Sequence, residues 1–259
     1  MKITDTHTHL YMKEFREDID DVIKKAFNQK INRFLLPSID RSTIPSILKL
    51  EKKYPNVCFS MIGLHPSRVF TDSLEKELNY IEKWLYKHSF ISIGEIGMDF
   101  NLEKKFISEQ EYAFQTQIKW AKKIKLPIVI HCRKAFDQVY NILLKEKNSY
   151  LKGVFHCFSG TLEQAKKIID LGIKLGIGGM ITFKKNHMIE FLHKINLNNI
   201  VLETDSPFLS PHPFRGKRND PTNLRIVLKR LSQIYSTSEE KIADIIHMNV
   251  ENLFFSKKI

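Results

Sequence analysis

The sequence predicts an α/β fold, a (β/α)8 TIM barrel made by one domain over residues 1–259. Three observations lead there. Eight short apolar or β-branched runs alternate with longer amphipathic segments. Several runs are apolar at successive positions, as in Ile128-Val129-Ile130 and Ile200-Val201-Leu202, which suits parallel strands covered on both faces. The first run passes into Thr6-His7-Thr8-His9, where an open doubly wound sheet normally carries a glycine-rich turn.

In order, the strand-like runs are residues 2–4, 32–36, 57–63, 90–94, 127–130, 154–155, 173–178 and 200–203. Helical spacing at i, i+3 and i+4 joins Phe15, Ile19, Val22, Ile23 and Ala26, then Leu74, Leu78, Ile81 and Leu85, then Phe136, Val139, Tyr140 and Leu143. Ser108-Glu109-Gln110-Glu111 and Thr161-Leu162-Glu163-Gln164 both fit a capping box, so each predicts a helix start. Two further helical patterns, 223–235 and 239–248, close the chain.

Composition narrows the class. With 42% hydrophobic residues the chain can bury a full core and is not expected to be disordered. The net charge of +12 suits an anionic partner such as nucleic acid. A codon bias toward lysine, isoleucine, asparagine and phenylalanine would produce the same figure. Most lysines fall in helical segments (Lys24-Lys25, Lys122-Lys123, Lys166-Lys167), so local charge carries more meaning than the total. Three widely spaced cysteines, Cys58, Cys132 and Cys157, fit a reducing compartment and no disulfide framework. No apolar stretch reaches the roughly 20 residues of a membrane span, and residues 1–7 have no secretory character. The expectation is a cytoplasmic protein that needs neither membrane nor obligate protein partner.

The chemistry lies where the strands end. The runs finish in Asp5 to His9, Ser38, His65-Pro66, Glu95, His131, His156, Gly178-Gly179 and Asp205. Barrel active sites form at this rim. His7 and His9 share one face of an extended chain, so both rings can reach one ion. Glu95 directly follows an apolar strand, where a carboxylate is costly to bury unpaired. It suits a bridge between two cations. Cys132 and Cys157 follow His131 and His156 and should point the other way, as small packing residues. Asp205 can bind a cation through one oxygen and accept a proton from water with the other. Singly, each residue has an ordinary structural use. Together they form an all-N/O donor set for two divalent cations, with Mg²⁺, Mn²⁺ and Zn²⁺ left open. A pair of such ions suits phosphoester cleavage.

At this point the sequence resembles the TatD family of metal-dependent hydrolases. The resemblance rests on residues 5–10 (DTHTHL), 63–66 (GLHP), 94–99 (GEIGMD), 126–133 (LPIVIHCR), 153–160 (GVFHCFSG), 202–209 (LETDSPFL) and 215–219 (RGKRN). It implies a barrel of the metal-dependent hydrolase type holding up to two divalent cations. His7, His9, Glu95 and Asp205 would hold one, and Glu95, His131 and His156 the other. It also implies phosphodiester hydrolysis, typically as a 3′→5′ exonuclease on single-stranded DNA and in some members on RNA. Ser67, Phe100 and Asn101 depart from the family pattern near the expected substrate mouth.

On this reading Asp205 is the general base and Glu95 the bridging carboxylate. His65, Arg133, Arg215, Lys217 and Arg218 are candidate phosphate contacts, and Phe183 or Phe208 a stacking surface for a base. Two other activities fit the same features. One is ester or amide hydrolysis, such as deacylation of D-aminoacyl-tRNA. The other is nucleic-acid binding without catalysis, which would persist without metal and depend steeply on salt.

Overall fold

The structure is a computed structural model that describes residues 2–101 and 106–256. Eight parallel strands follow one another around a single sheet: β1 (Ile3–Asp5), β2 (Ile31–Leu36), β3 (Cys58–Ile62), β4 (Ser92–Asp99), β5 (Ile128–Arg133), β6 (Gly153–Phe155), β7 (Ile173–Ile177) and β8 (Ile200–Leu202). The seam between β8 and β1 is bridged past the strand ends. Thr6 N–H donates to Leu202 O, Asp205 N–H to His7 O and His9 N–H to Ser206 O, at 2.9, 2.9 and 2.7 Å. The expected barrel is the observed one.

Strand alternation explains how the rim is loaded. Leu35, Met61, Val129, Val154 and Val201, one from each of five strands, form a single buried cluster with Val250, Leu253 and Phe254. The end of the chain is thus packed against the strands' apolar layer. Two residues further along, the same strand face presents His131, His156 and Glu203, and four residues beyond Met61 it presents His65. The outer faces pack against helices α1 (Ile19–Asn28), α2 (Ile44–Lys53), α3 (Leu74–Leu85), α4 (Ile107–Ile124), α5 (Phe136–Glu146), α6 (Leu162–Asp170), α7 (Leu224–Tyr235) and α8 (Glu239–Val250).

Local expectations differ from the structure in four places. Phe15 belongs to a separate 3-10 turn (Lys13–Phe15), and α1 begins only at Ile19. The Thr161 capping box is present with both reciprocal bonds, but α4 starts before Ser108, whose hydroxyl bonds the Glu109 side chain instead. Residues 178–199 form short 3-10 turns rather than a helix after β7. The reason is chemical: Asn186 and Asn196 accept the backbone N–H two residues on, and such local bonds compete with a helix. Finally, β4 runs on through Glu95 to Asp99, with a register shift against β5 between Ile93 and Ile96. Such irregularities re-aim side chains. Gly97, φ +142°, sits opposite His131, where a Cβ would meet the His131 carbonyl at 1.9 Å.

The seam depends on Asp5, which is fully buried. Its carboxyl accepts Thr204 N–H at 2.9 Å and Thr204 Oγ1–H at 2.5 Å. Burial pushes this carboxyl up to about 8 in spite of those bonds. Asp5→Ala leaves two buried donors unpaired and should lower the unfolding free energy by about 2–4 kcal/mol. Urea denaturation measures it, and an unchanged midpoint would show that the seam closes without this clasp.

Candidate metal centre at the barrel mouth

Glu95 is the hub. It is 3% exposed, and five imidazoles surround its two oxygens. His7 Nε2 lies 3.3 Å and His9 Nε2 3.9 Å from Oε2, while His131 Nδ1 lies 2.8 Å, His65 Nε2 3.4 Å and His156 Nε2 3.7 Å from Oε1. Asp205 stands across from Glu95, 3.4 Å from His9 Nε2 and 3.7 Å from His7 Nε2. It occupies a left-handed backbone conformation (φ +58°) just beyond β8. Residues from both ends of the chain therefore meet at one point.

The first expected set, His7, His9, Glu95 and Asp205, is brought together as a whole. In the second, Glu95 lies near both His131 and His156, but those two ring centroids are 6.4 Å apart. The tight donor groups, with atoms within 4.8 Å of one another, pair His131 with His65 and Glu95, and His156 with His7 and Asp205. His156 stacks on His7 at 3.6 Å and 15°. Among the described residues, both ring nitrogens of fully buried His7 lack a hydrogen-bond partner. Buried polar atoms are nearly always paired, so this orphaned ring, facing two carboxylates, fits a divalent cation. The N/O donor set agrees with that fit.

Hydrogen bonds on the far side of His9, His65 and His131, and an ion-pair contact behind His156, sort these histidines by role. Tyr11 donates its hydroxyl to Pro37 O at 2.7 Å, so it accepts from His9 Nδ1 at 2.8 Å and leaves His9 Nε2 bare toward the centre. His65 is reversed: its Nδ1 accepts Ser67 N–H at 3.0 Å, which places the proton on Nε2. His65 therefore presents a donor to the mouth. Ser67, where the sequence departs from the family pattern, supplies that control. Asp99 Oδ2 stands 3.1 Å from His131 Nε2, and Glu203 Oε1 2.9 Å from His156 Nδ1.

Charge follows this geometry. Burial alone would raise Glu95, but His65, His7 and His156 reverse it and hold the carboxyl well below its usual range. Asp205 is likewise lowered, by His9, His156 and His7 against burial. Burial dominates at His7 and His65 and lowers both. At His131 and His156 burial is overcome by carboxylates, Asp99 and Glu95 for the first and Glu203 and Glu95 for the second, reaching about 9 and about 10.

The residues expected at the substrate divide. A mouth pocket of about 360 Å³ is lined by His131, Arg133, His156, Asp205, Cys132 and Cys157 among others. Cys132, within β5, also packs against the hydrophobic core as expected, whereas Cys157 departs from the expectation from alternation. β6 has already ended at Phe155, and Cys157 turns left-handed (φ +48°), with Sγ 3.9 Å from Met180 Sδ. Arg215 stacks on Phe183 at 4.0 Å, and Lys217 is exposed on the same loop. Arg218 is engaged elsewhere. It forms a two-pronged ion pair with Asp18 at 2.9 and 2.6 Å, which ties the loop after β8 to the segment before α1. Phe208 is 47% exposed, its ring 5.8 Å from His9. Tyr11, Asp99 and Glu203 were missed from sequence. The cost of burying a carboxylate beside an apolar strand, applied to Glu95, applied equally to Glu203.

The raised His131 and His156 set a pH dependence for protein stripped with EDTA. A folded-state pKa above the unfolded 6.5 contributes stability that is complete below pH 6.5 and lost as pH rises through about 9 and about 10. Asp5, raised to about 8, acts in the same direction over the lower part of that window. The melting temperature of stripped protein should therefore fall between pH 6.5 and 9.5, measured by scanning calorimetry. A flat or rising profile would contradict these protonation states.

Comparison with known proteins identifies the family. The family profile described as TatD related DNase matches residues 4–255. An uncharacterized metal-dependent hydrolase, YabD of Bacillus subtilis, is 34% identical over 251 residues, covering 96% of this chain and 98% of its own. The 3′-5′ ssDNA/RNA exonuclease TatD of Salmonella typhimurium is 30% identical over 258 residues, covering 96% and 98%. The crystal structure of YjjV, a TatD homolog from Escherichia coli K12, superposes with a TM-score of 0.92 at 26% identity, covering 98% of both chains. No helix among the described residues is long and apolar enough to cross a membrane. With the barrel, the donor cluster and full-length relatives in agreement, the chain belongs to the TatD family of metal-dependent hydrolases.

Proposed function

We propose that the protein removes nucleotides from the 3′ end of single-stranded DNA, and of RNA, by hydrolysing phosphodiester bonds with two divalent cations. The observation that carries this reading is the cluster around Glu95, in which carboxylates and bare imidazole nitrogens stand beside a donor-bearing His65. His7, His9, Glu95 and Asp205 would hold one cation, and Glu95 with His131 and His156 the other. When bound, such ions acidify water and neutralise charge on phosphoryl oxygens.

The side chains have distinct tasks. Asp205, held below the usual carboxylate range, is ionised at neutral pH and accepts the proton of the attacking water. His65 donates from Nε2 to a phosphoryl oxygen, an orientation fixed by Ser67. Arg133, at the pocket edge, offers a second cationic contact. Phe208 provides an exposed face for an unpaired base, and the Arg215–Phe183 pair a second surface beside it. Lys217 contributes diffuse charge. Arg218 shapes the loop through Asp18. The name of the Salmonella relative supports the substrate class and the polarity.

A 5′-labelled single-stranded oligonucleotide in Mg²⁺ or Mn²⁺ should shorten stepwise, and EDTA should stop it. Intact substrate under every metal would overturn the reading, and release of amino acid from aminoacyl-tRNA in its place would move the activity to deacylation. Asp205→Asn should retain the fold by circular dichroism and lose at least about 100-fold in turnover. An unaffected rate would remove Asp205 as the base.

A further inference from the structure

We propose that Glu203 is a positioning residue for cation binding: it holds the His156 ring so that Nε2, not Nδ1, faces the centre. The inference rests on the metal-dependent reading of the mouth.

Glu203 lies just past β8, on the same strand face as Val201, and is wholly buried. Its Oε1 accepts the Cys157 N–H at 2.6 Å and stands 2.9 Å from His156 Nδ1, an ion-pair contact off hydrogen-bond alignment. One carboxylate oxygen thus reaches both the ring and the backbone of the His156–Cys157 turn. Its other oxygen, Oε2, has no hydrogen-bond partner among the described residues. A buried carboxylate left half unpaired is costly, so a stability role alone accounts poorly for it. Space is made for it: a Cβ at Gly176 in β7 would lie 2.3 Å from Oε2 and 2.9 Å from the carboxyl carbon. On the opposite edge of the ring, His156 Nε2 points at Glu95 Oε1, 3.7 Å away.

A carboxylate behind an imidazole fixes its tautomer and makes its outward nitrogen more basic. Glu203 does this for His156 from the strand beside Asp205, coupling the base of β8 to the ligand of β6. His156, Cys157 and Glu203 also lie close enough to suggest an N/S/O site of their own. The contacts favour positioning, because Glu203 Oε1 lies within ion-pair distance of the ring and accepts the Cys157 N–H, and Cys157 Sγ lies near Met180 Sδ.

The test is zinc titration by calorimetry on the wild-type protein, Glu203→Gln and Gly176→Ala, with circular dichroism to show that each is folded. Glu203→Gln removes the charge while keeping the shape. Gly176→Ala keeps the charge and displaces the carboxylate, its Cβ lying 2.3 Å from Glu203 Oε2 and 3.2 Å from the His156 Cα. In both variants one zinc should bind about 10–100-fold more weakly and the other should be little changed. Two folded variants that bind both ions as wild type does would overturn the proposal. A readout independent of any variant's folding is the ¹H–¹⁵N imidazole spectrum of zinc-loaded wild-type protein, with the His156 ring assigned by its loss in His156→Asn. A proton on Nδ1 is expected, and a proton on Nε2 would overturn the proposal. Wild-type protein that binds no zinc in the titration would instead bring down the metal reading on which the proposal stands.

Discussion

A carboxylate buried on the inner face of a β-barrel needs polar and positive partners, and Glu95 is ringed by five histidines, of which His131 and His156 are held cationic. Much of the architecture can be read as the means of bringing those rings to one point. The apolar layer beneath them is supplied one residue per strand, so the next inward position on β5 and β6 is a histidine. The backbone around Glu95 is gripped from β2's side, where Ser38 N–H donates to Gly94 O and Glu95 N–H donates to Ser38 O, both at 3.1 Å. Ser38, which ends the second strand-like run without a metal-binding side chain, thus serves the centre through its backbone.

The same centre makes closure of the barrel part of its chemistry. His7, His9 and Asp205 stand on the two sides of the seam, nearly 200 positions apart in the chain. Asp5 bonds Thr204 across that seam, and both residues lie within two positions of a candidate ligand. Loosening of the seam would therefore separate His7 and His9 from Asp205 before it disturbed the outer helices. Glu203 extends the same strand's influence to His156. β8 and its extension thereby touch donors from both expected cation sets.

The barrel was legible in the sequence because both of its signals are local: near-continuous apolar runs for strands and i, i+3, i+4 spacing for helices. The six expected donors were legible because each follows or ends such a run. What escaped depended on partners far along the chain. Nothing around Asp99 shows that it will stand behind His131, 32 positions on. Tyr11 acts through Pro37 O, and Glu203 through a ring on β6. Cys157 was misplaced because alternation was extended past Phe155, where the strand stops. The absent helix after β7 had a readable cause in its asparagines, which favour local turns over helix propagation.

Residue type alone also fails to separate the five histidines, which are the same side chain at similar distances from Glu95. Their far-side partners do separate them. Tyr11 accepts a hydrogen bond from His9 Nδ1 and leaves a lone pair facing inward, whereas the Ser67 N–H donates one to His65 Nδ1 and leaves an N–H facing inward. One ring is prepared for a cation and the other for an oxygen that bears negative charge. The arginines divide by the same logic. Arg218 is held by Asp18 and Arg215 lies on Phe183, so the loop after β8 is stiffened by much of its own basic charge. Of these basic residues Arg133 lines the mouth pocket, which favours a phosphate that reaches the Glu95 cluster over phosphates elsewhere along a strand. On the proposed function, a site built this way would select the end of a nucleic acid, since a terminus or a sharply bent strand brings its phosphate more readily to a carboxylate as buried as Glu95.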